Sequence, residues 1–417
     1  MRAAGFDFGT SNSAIGVMRE GHAVLAPLEN GATMVPTAVF FDFADHDRPA
    51  YGRAAVDAYV NGNDGRLLRS LKTILSSNLI TERTALSKRH IQLTDVIAMF
   101  SRHLKLKAEE AAGAPIDAVV HGRPVRFVEG DDAADRLAED TLRALASQAG
   151  YTEISFVYEP VAAAAQYEQT VTREELVLVV DIGGGTSDFS IIRVGPDRRA
   201  RDNRKDDILA NTGVRVGGTD LDRHLSLQSV MPLLGLGTEL VTRNLPVPRS
   251  TYAELAFWPT INFCYTPRIL REAEEVHRQA REPEKTTRLV TVLKKQLGHR
   301  MAFSVESGKI ALSGEGKARI PLHFIEKELE ALATRQEFDT TIGSELMRLR
   351  LSVWNCLALA GVDTGDINTV FMTGGSSRVP AIETLMREEF PDADIRRGDD
   401  FLSVALGLTR QAERRYG

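Results

Sequence analysis

Leu176-Val-Leu-Val-Val-Asp-Ile-Gly-Gly-Gly-Thr-Ser-Asp-Phe-Ser-Ile-Ile192 is the stretch on which the fold turns. An apolar run of strand length ends in Asp-x-Gly, a turn of small residues follows, and a second apolar run leads away. Ala4-Gly-Phe-Asp-Phe-Gly-Thr-Ser-Asn-Ser-Ala-Ile-Gly-Val17 repeats that plan near the start of the chain, with its turn at Gly9–Asn12. Asp7 and Gly9 in one unit correspond to Asp181 and Gly183 in the other. Two matched units in one chain predict a duplicated domain.

The chemistry of such a turn is specific. Glycines let the backbone approach an anion and aim successive N–H groups at it. Thr10, Ser11, Thr186 and Ser187 add hydroxyls. Aspartates repel phosphate, so Asp7, Asp181 and Asp188 make sense as ligands, through water, of a hydrated magnesium ion. Each turn alone is a common hairpin; together they read as two facing clamps for a polyphosphate. The P-loop pattern Gly-x-x-x-x-Gly-Lys-[Ser/Thr] does not occur. Gly183–Gly185 lacks the third glycine of the dinucleotide fingerprint, and a hairpin follows it rather than a helix.

Outside the turns, strands alternate with helical patterns, which predicts an α/β architecture. The expected helices are Glu129–Gln148, Glu159–Glu168 opened by Pro160, a charged stretch Ile269–His299 broken near Pro283, one from about Pro380, and Phe401–Glu413; Val370–Thr373 is an expected strand. At 417 residues the chain exceeds one compact core. A net charge of −6 argues against a general nucleic-acid binder. Cys264 and Cys356 are far apart and outside any ligand spacing, which predicts buried reduced thiols and a cytosolic protein. A strand pattern begins by Ala3, leaving no export signal, and no apolar run approaches the ~20 residues of a membrane helix. The mixed charges of Arg193–Asp207 read as a solvated hairpin tip in preference to a partner patch.

Asp7–Asn12 and Asp181–Asp188 resemble the two phosphate motifs of actin-like ATPases. Tyr158-Glu-Pro-Val-Ala-Ala-Ala-Ala165 is similar to the first connecting helix of DnaK-type heat-shock chaperones, and Val216-Gly-Gly-Thr-Asp-Leu-Asp222 to their Gly-Gly-x-Asp-x-Asp segment. Glu306-Ser-Gly-Lys-Ile-Ala-Leu-Ser313 and Met372-Thr-Gly-Gly-Ser-Ser-Arg-Val-Pro380 resemble their two adenosine motifs. The matches keep family order from Ala4 to about Ala405, and the short, YegD-like members are the nearest in plan. The resemblance implies a ribonuclease-H-like fold with two lobes and four subdomains around a nucleotide cleft. Lobe I would be residues 1–175, lobe II residues 176–398 with an insert at about 213–330, and residues 399–417 a helix returning to lobe I. It implies ATP or ADP with Mg²⁺ as ligands.

Residue roles follow from the resemblance. Glu159 is the expected catalytic carboxylate acting on the attacking water, with a plain helix-dipole role as its alternative. Thr186 matches the hydroxyl near the γ-phosphate. Lys72, in Arg69-Ser-Leu-Lys-Thr-Ile-Leu75, matches a phosphate-binding lysine, although Arg66, Arg69 and Lys72 also read as a solvated helical stripe. Gly9, Thr10, Ser11, Asn12, Gly183, Gly184, Gly185, Gly217 and Gly218 would line the phosphates. Glu306, Lys309 and Ser313 share one helix face and would hold ribose and adenine, with Gly374, Gly375 and Ser376 beside them and Arg378 stacked on the base.

Four features depart from the family pattern. The sequence stops at Gly417, leaving no expected peptide-binding domain. Pro124 matches a switching proline, but the arginine after it has no counterpart, Arg136 being out of register. Near Val404-Ala405 the acidic position is Phe401, with Asp399 and Asp400 shifted. Leu227–Pro283, with Trp258-Pro259, fits no motif and reads as local core in preference to a docking face. The expected function is a nucleotide-driven switch read by a protein partner or co-chaperone, with no nucleic acid or membrane involved; the alternatives are a sugar-type metabolite kinase and a filament-forming relative.

Overall fold

The computed structural model describes residues 2–75, 78–128, 130–199, 201, 203–241, 245–397 and 403–417, and the structural statements below concern those residues. The chain begins with β1 (Ala3–Phe8), β2 (Asn12–Arg19), β3 (His22–Leu25) and β4 (Met34–Pro36). Then come β5 (Ala38–Asp42), β6 (Arg48–Tyr51), α1 (Gly52–Val60), β7 (Gly65–Arg69), α2 (Lys72–Leu75), β8 (Arg83–Ala85), β9 (His90–Gln92) and α3 (Leu93–Ala112). β10 (Ala118–Arg123), α4 (Asp132–Gln148), β11 (Glu153–Tyr158) and α5 (Glu159–Glu168) complete the first half.

The second half opens on β12 (Glu175–Ile182), β13 (Ser187–Val194), β14 (Ile208–Val214) and α6 (Gly218–Leu225). A helical stretch follows: α7 (Ser250–Leu255), α8 (Pro267–Gln279), α9 (Pro283–Lys294) and α10 (Gly298–Gly314). β15 (Lys317–Pro321), β16 (Glu330–Thr334), α11 (Arg335–Thr341), α12 (Gly343–Ala360), β17 (Thr369–Thr373), α13 (Pro380–Glu389), β18 (Asp394–Arg397) and α14 (Ser403–Tyr416) end it.

Two sheets carry the architecture. One runs β11-β10-β1-β2-β3, with β4 also pairing β2; the other runs β14-β13-β12-β17-β18. In each, a central antiparallel hairpin (β1–β2, β12–β13) is extended on one side by two parallel strands and on the other by an antiparallel strand. The two sheets therefore repeat one topology. Their central strands are buried on both faces, which is why they read as continuous apolar runs instead of alternating ones. Leu178, Val180 and Ile182 enter one core and Val177 and Val179 another.

That second core lies between the sheets. It joins Val120 and Val157 of the first sheet, Val177, Val179 and Phe371 of the second, and the inner faces of α5 and α14. The seat of α14 depends on missing side chains. A Cβ on Gly5 of β1 would lie 2.1 Å from the Thr409 nitrogen, and one on Gly407 2.0 Å from the Ala162 carbonyl oxygen of α5.

Most expected elements form with small shifts. The Ile269–His299 stretch divides at Pro283, which sits in the first turn of α9. The helix expected from Glu129 runs from Asp132, its first N–H groups received by the Asp131 carboxylate; Glu129 itself lies outside the described residues, as do Asp202, Asp399, Asp400 and Phe401. The helical stripe of Arg66, Arg69 and Lys72 does not exist. Arg66 and Arg69 belong to β7, which pairs with β5, and Ser70 at φ 55 breaks the chain before α2 begins at Lys72. Cys264 and Cys356 are both buried and unpaired. No helix among the described residues is long and apolar enough to cross a membrane.

Candidate functional site

The two glycine turns meet. A Cβ on Gly184 would fall 2.0 Å from Ser11 Oγ, so the second turn rests directly on the hydroxyl of the first. The first turn is tight, since a Cβ on Gly9 would reach within 2.2 Å of the Asn12 carbonyl oxygen. Thr37 braces it: its N–H donates to Ser11 O at 2.9 Å and its hydroxyl to Gly9 O at 2.8 Å.

The second turn is held from behind. Gly183 N donates to Thr186 O at 2.9 Å, closing the hairpin. The Gly183 carbonyl accepts from Gly218 N and Ser376 Oγ, and the Gly184 carbonyl from Thr219 N and Oγ1. A trans peptide carries its N–H opposite its C=O, so the amides of Gly184 and Gly185 point away from α6. Gly217 makes this fit possible: a Cβ there would stand 2.4 Å from Gly185 N. Gly374, at φ 81, is packed so closely that a Cβ would sit 2.5 Å from an Asp181 carboxylate oxygen. Thr186 is exposed at the tip. Ser187 does not join the expected hydroxyl set; it is fully buried, and its hydroxyl donates to Val216 O at 2.7 Å.

Below the turns lies a charged floor. α5 presents Glu159 in its first turn, and Lys72, leading α2, places Nζ 2.6 Å from Glu159 Oε1. Glu159, Asp181, Asp188 and Thr373 line one narrow crevice, walled also by Pro124, Val125, Ser190 and Asn211. Asp181 and Asp188 face each other across the β12–β13 hairpin. Burial, then the Glu159 carboxylate and Asp181, against the opposing pull of Lys72, push the Asp7 carboxyl up to about 8. Burial and Glu159 push Asp181 to about 6. Burial pulls Lys72 down, but Glu159, Asp7 and Asp188 outweigh it and hold the lysine above its ordinary value. The floor therefore carries more negative charge than one ammonium neutralises. Among the described residues no three His, Cys, Asp or Glu side chains come together as a direct metal-holding group.

The expected adenosine residues divide. Ser313 of α10 and Arg378 line one open recess with Pro380, Glu383, Thr384 and Arg387 of α13. Lys309 is turned inward: 7 % exposed, it pairs with Asp222 at 2.9 Å and donates to Gly218 O at 3.1 Å. Its observed partners are thus in α6, behind the second turn. Glu306 is partly buried, and its charge acts on Asp222 and Arg69. Gly375 lies beside Gly374 in the short turn before Ser376, which is 8 % exposed and committed to Gly183 O.

Three residues escaped sequence reasoning. Thr37 has no local signature. Arg123, just before Pro124, donates to Pro124 O at 3.0 Å and Val125 O at 3.2 Å and pairs with Asp135 and Glu139 of α4. Arg69 lies over the Trp258 ring, 4.3 Å from its centroid, with the Phe303 ring packed edge-on against Trp258 beside it. Nearby, Tyr59 OH donates to Asn262 Oδ1 at 2.7 Å and contacts His299. Trp258 is thus not local core: it is half-buried and bridges from the 258–264 turn to β7, although Tyr252, Leu255, Ile261 and Cys264 around it are core.

The family profile described as Hsp70 protein matches residues 50–227 and 276–413. The chain belongs to the Hsp70 family. It is similar to the protein named chaperone protein HscA from Salmonella typhimurium and from Salmonella heidelberg, 25 % identical to each over 429 aligned positions. The alignment covers 99 % of this chain but 58 % of each relative, so the chain spans under two thirds of the length of the curated relatives it matches. The profile's gap at 228–275 falls within the Leu227–Pro283 stretch that fitted no motif.

Proposed function

We propose that the chain is an ATP-binding, ATP-hydrolysing switch of the chaperone type, in which two lobes close on the nucleotide. Lobe I would comprise residues 1–175 and lobe II residues 176–398, with an insert at about 213–330 giving four subdomains, and the last helix returning to lobe I. The observation that carries the reading is the meeting of the two glycine turns above the Lys72–Glu159 pair.

The turn residues fit a polyphosphate. Gly183 and Gly184 have their carbonyls tied to α6 and Ser376, which favours amides directed at an anion. Thr10, Ser11, Asn12 and Thr186 would complete the cradle. The surplus carboxylates suit a hydrated Mg²⁺, with Asp7, Asp181 and Asp188 accepting from its waters; bound there, the ion would offset phosphate charge. Glu159 would orient and deprotonate water. Lys72 has two acceptors to choose between. Without phosphate it holds Glu159; a γ-phosphate would draw its ammonium away and leave the carboxylate to act on water. Ser313 and Arg378 would flank the base, and Lys309 would support the second turn from behind through Gly218 instead of touching the sugar.

The metabolite-kinase and filament readings have no specific observation in their favour. Calorimetry with ATP and ADP, with and without magnesium, tests the proposal. Magnesium-dependent binding of both, lost in Asp7→Asn, is expected; binding that ignores magnesium contradicts it.

A further inference from the structure

The β13–β14 connection, read from sequence as a solvated hairpin tip, is instead the site of a buried ion cluster. Arg204 is 8 % exposed, Asp207 1 % and Glu168 3 %. Arg204 forks onto Glu168, with Nη1 2.9 Å from Oε2 and Nη2 2.8 Å from Oε1, while its Nε donates to Asp207. Its Nη2 also reaches the Arg193 carbonyl of β13 at 3.2 Å. Arg198 closes the far side of Asp207 and pairs with Glu174 at 2.7 Å. Gly195 N donates to Glu168 Oε1 at 3.1 Å.

Glu168 is the last residue of α5, and Glu159 is the first. At 1.5 Å per residue the helix is a rod of about 14 Å. Its start continues directly from β11 of the first sheet, and its end is fixed by the fork to the connection between two strands of the second. Arg414 of α14 donates to the Arg199 carbonyl at 2.6 Å, bringing the helix that packs along α5 to the same connection. Burying three charged side chains, Glu168, Arg204 and Asp207, is unfavourable unless geometry and hydrogen bonding compensate. An apolar contact would hold a helix end equally well but would not fix its direction.

We infer that Glu168, Arg204 and Asp207 are positioning residues: they lock α5 to the second sheet so that the Glu159 carboxyl follows that sheet when the lobes close. This rests on the proposed hydrolytic reading. Single-turnover ATP hydrolysis with magnesium tests it on the full chain, comparing wild type, Glu168→Gln, Arg204→Lys and, as a control that loses core packing elsewhere, Val353→Ala. ADP affinity and melting temperature are measured in parallel. The expected result is hydrolysis at least tenfold slower in Glu168→Gln, ADP affinity within twofold, partial recovery in Arg204→Lys, and a wild-type rate in Val353→Ala despite a comparable fall in melting temperature. A wild-type rate in Glu168→Gln, or equal slowing in Val353→Ala, overturns the positioning role and leaves the site reading intact. A wild-type chain that hydrolyses nothing overturns both.

Discussion

Glu159 and Lys72 form the ion pair on which the proposed chemistry depends, and each makes a separate prediction. Glu159→Ala should retain nucleotide and slow hydrolysis by about 10²–10⁴-fold, read in a single-turnover assay. Lys72→Ala should slow it by about 10²–10³-fold and weaken ATP more than ADP in calorimetry. Asp7 makes a prediction about pH. Its carboxyl, ordinarily near 3.8, is raised to about 8 by burial and by Glu159. A group that holds its proton more tightly folded than unfolded takes one up on folding between those two values. Stability of the nucleotide-free protein should therefore fall as pH rises from about 4 to 8 and flatten above. Asp7→Asn should remove most of that slope and stabilise the free chain at pH 8, checked by denaturant unfolding across pH. Several of these residues were legible in sequence because the backbone pattern around them is local: Asp-x-Gly, Glu-Pro. Lys309 was read as a nucleotide contact from its helix face, and the partners it has in the structure, Asp222 and the Gly218 carbonyl, reach it across the fold where no local pattern shows them.

Elements succeed or fail by how local their causes are. The two hairpins and α5 could be read from residues adjacent in sequence, and α5 forms over Glu159–Glu168 as expected. β7 could not: Arg66 and Arg69 at helical spacing become a strand because β5, some 27 positions away, offers it a ladder. The Arg193–Asp207 connection failed for a related reason. Mixed charges look alike whether water or other charges solvate them, and the acid that fixes Arg204 lies 36 residues away. Glycines of the turns tie element to function. Gly184→Ala should drive a methyl into Ser11 Oγ. It should weaken ATP at least about tenfold, ~1.4 kcal/mol, while leaving the circular dichroism spectrum unchanged. Gly407→Ala would push a Cβ onto the Ala162 carbonyl instead; its effect should be on stability, about 1–3 kcal/mol in urea.

At the scale of the molecule, the duplicated sheets share one core around α5 and α14, and the elements beyond each sheet meet through side chains. Arg69 on Trp258 and Tyr59 on Asn262 bridge β7 and α1 to the 258–264 turn. Such contacts suit a closure that must also open. Arg69→Ala should speed ADP release about 2- to 30-fold, the range for losing a contact of about 0.5–2 kcal/mol, as followed by displacement of a fluorescent analogue. No sequence signal pairs Arg69 with Trp258, which lies in the part of the chain outside the Hsp70 profile match. The account's central claim is that these parts make one hydrolytic site. Its most direct test is single-turnover hydrolysis of ATP with magnesium by the wild-type chain and Glu159→Ala, with binding of both proteins measured at the same concentrations. The account predicts that both bind ATP and that only the wild type converts it to ADP at a measurable rate; equal conversion by the two, or no binding by the wild type, would contradict it.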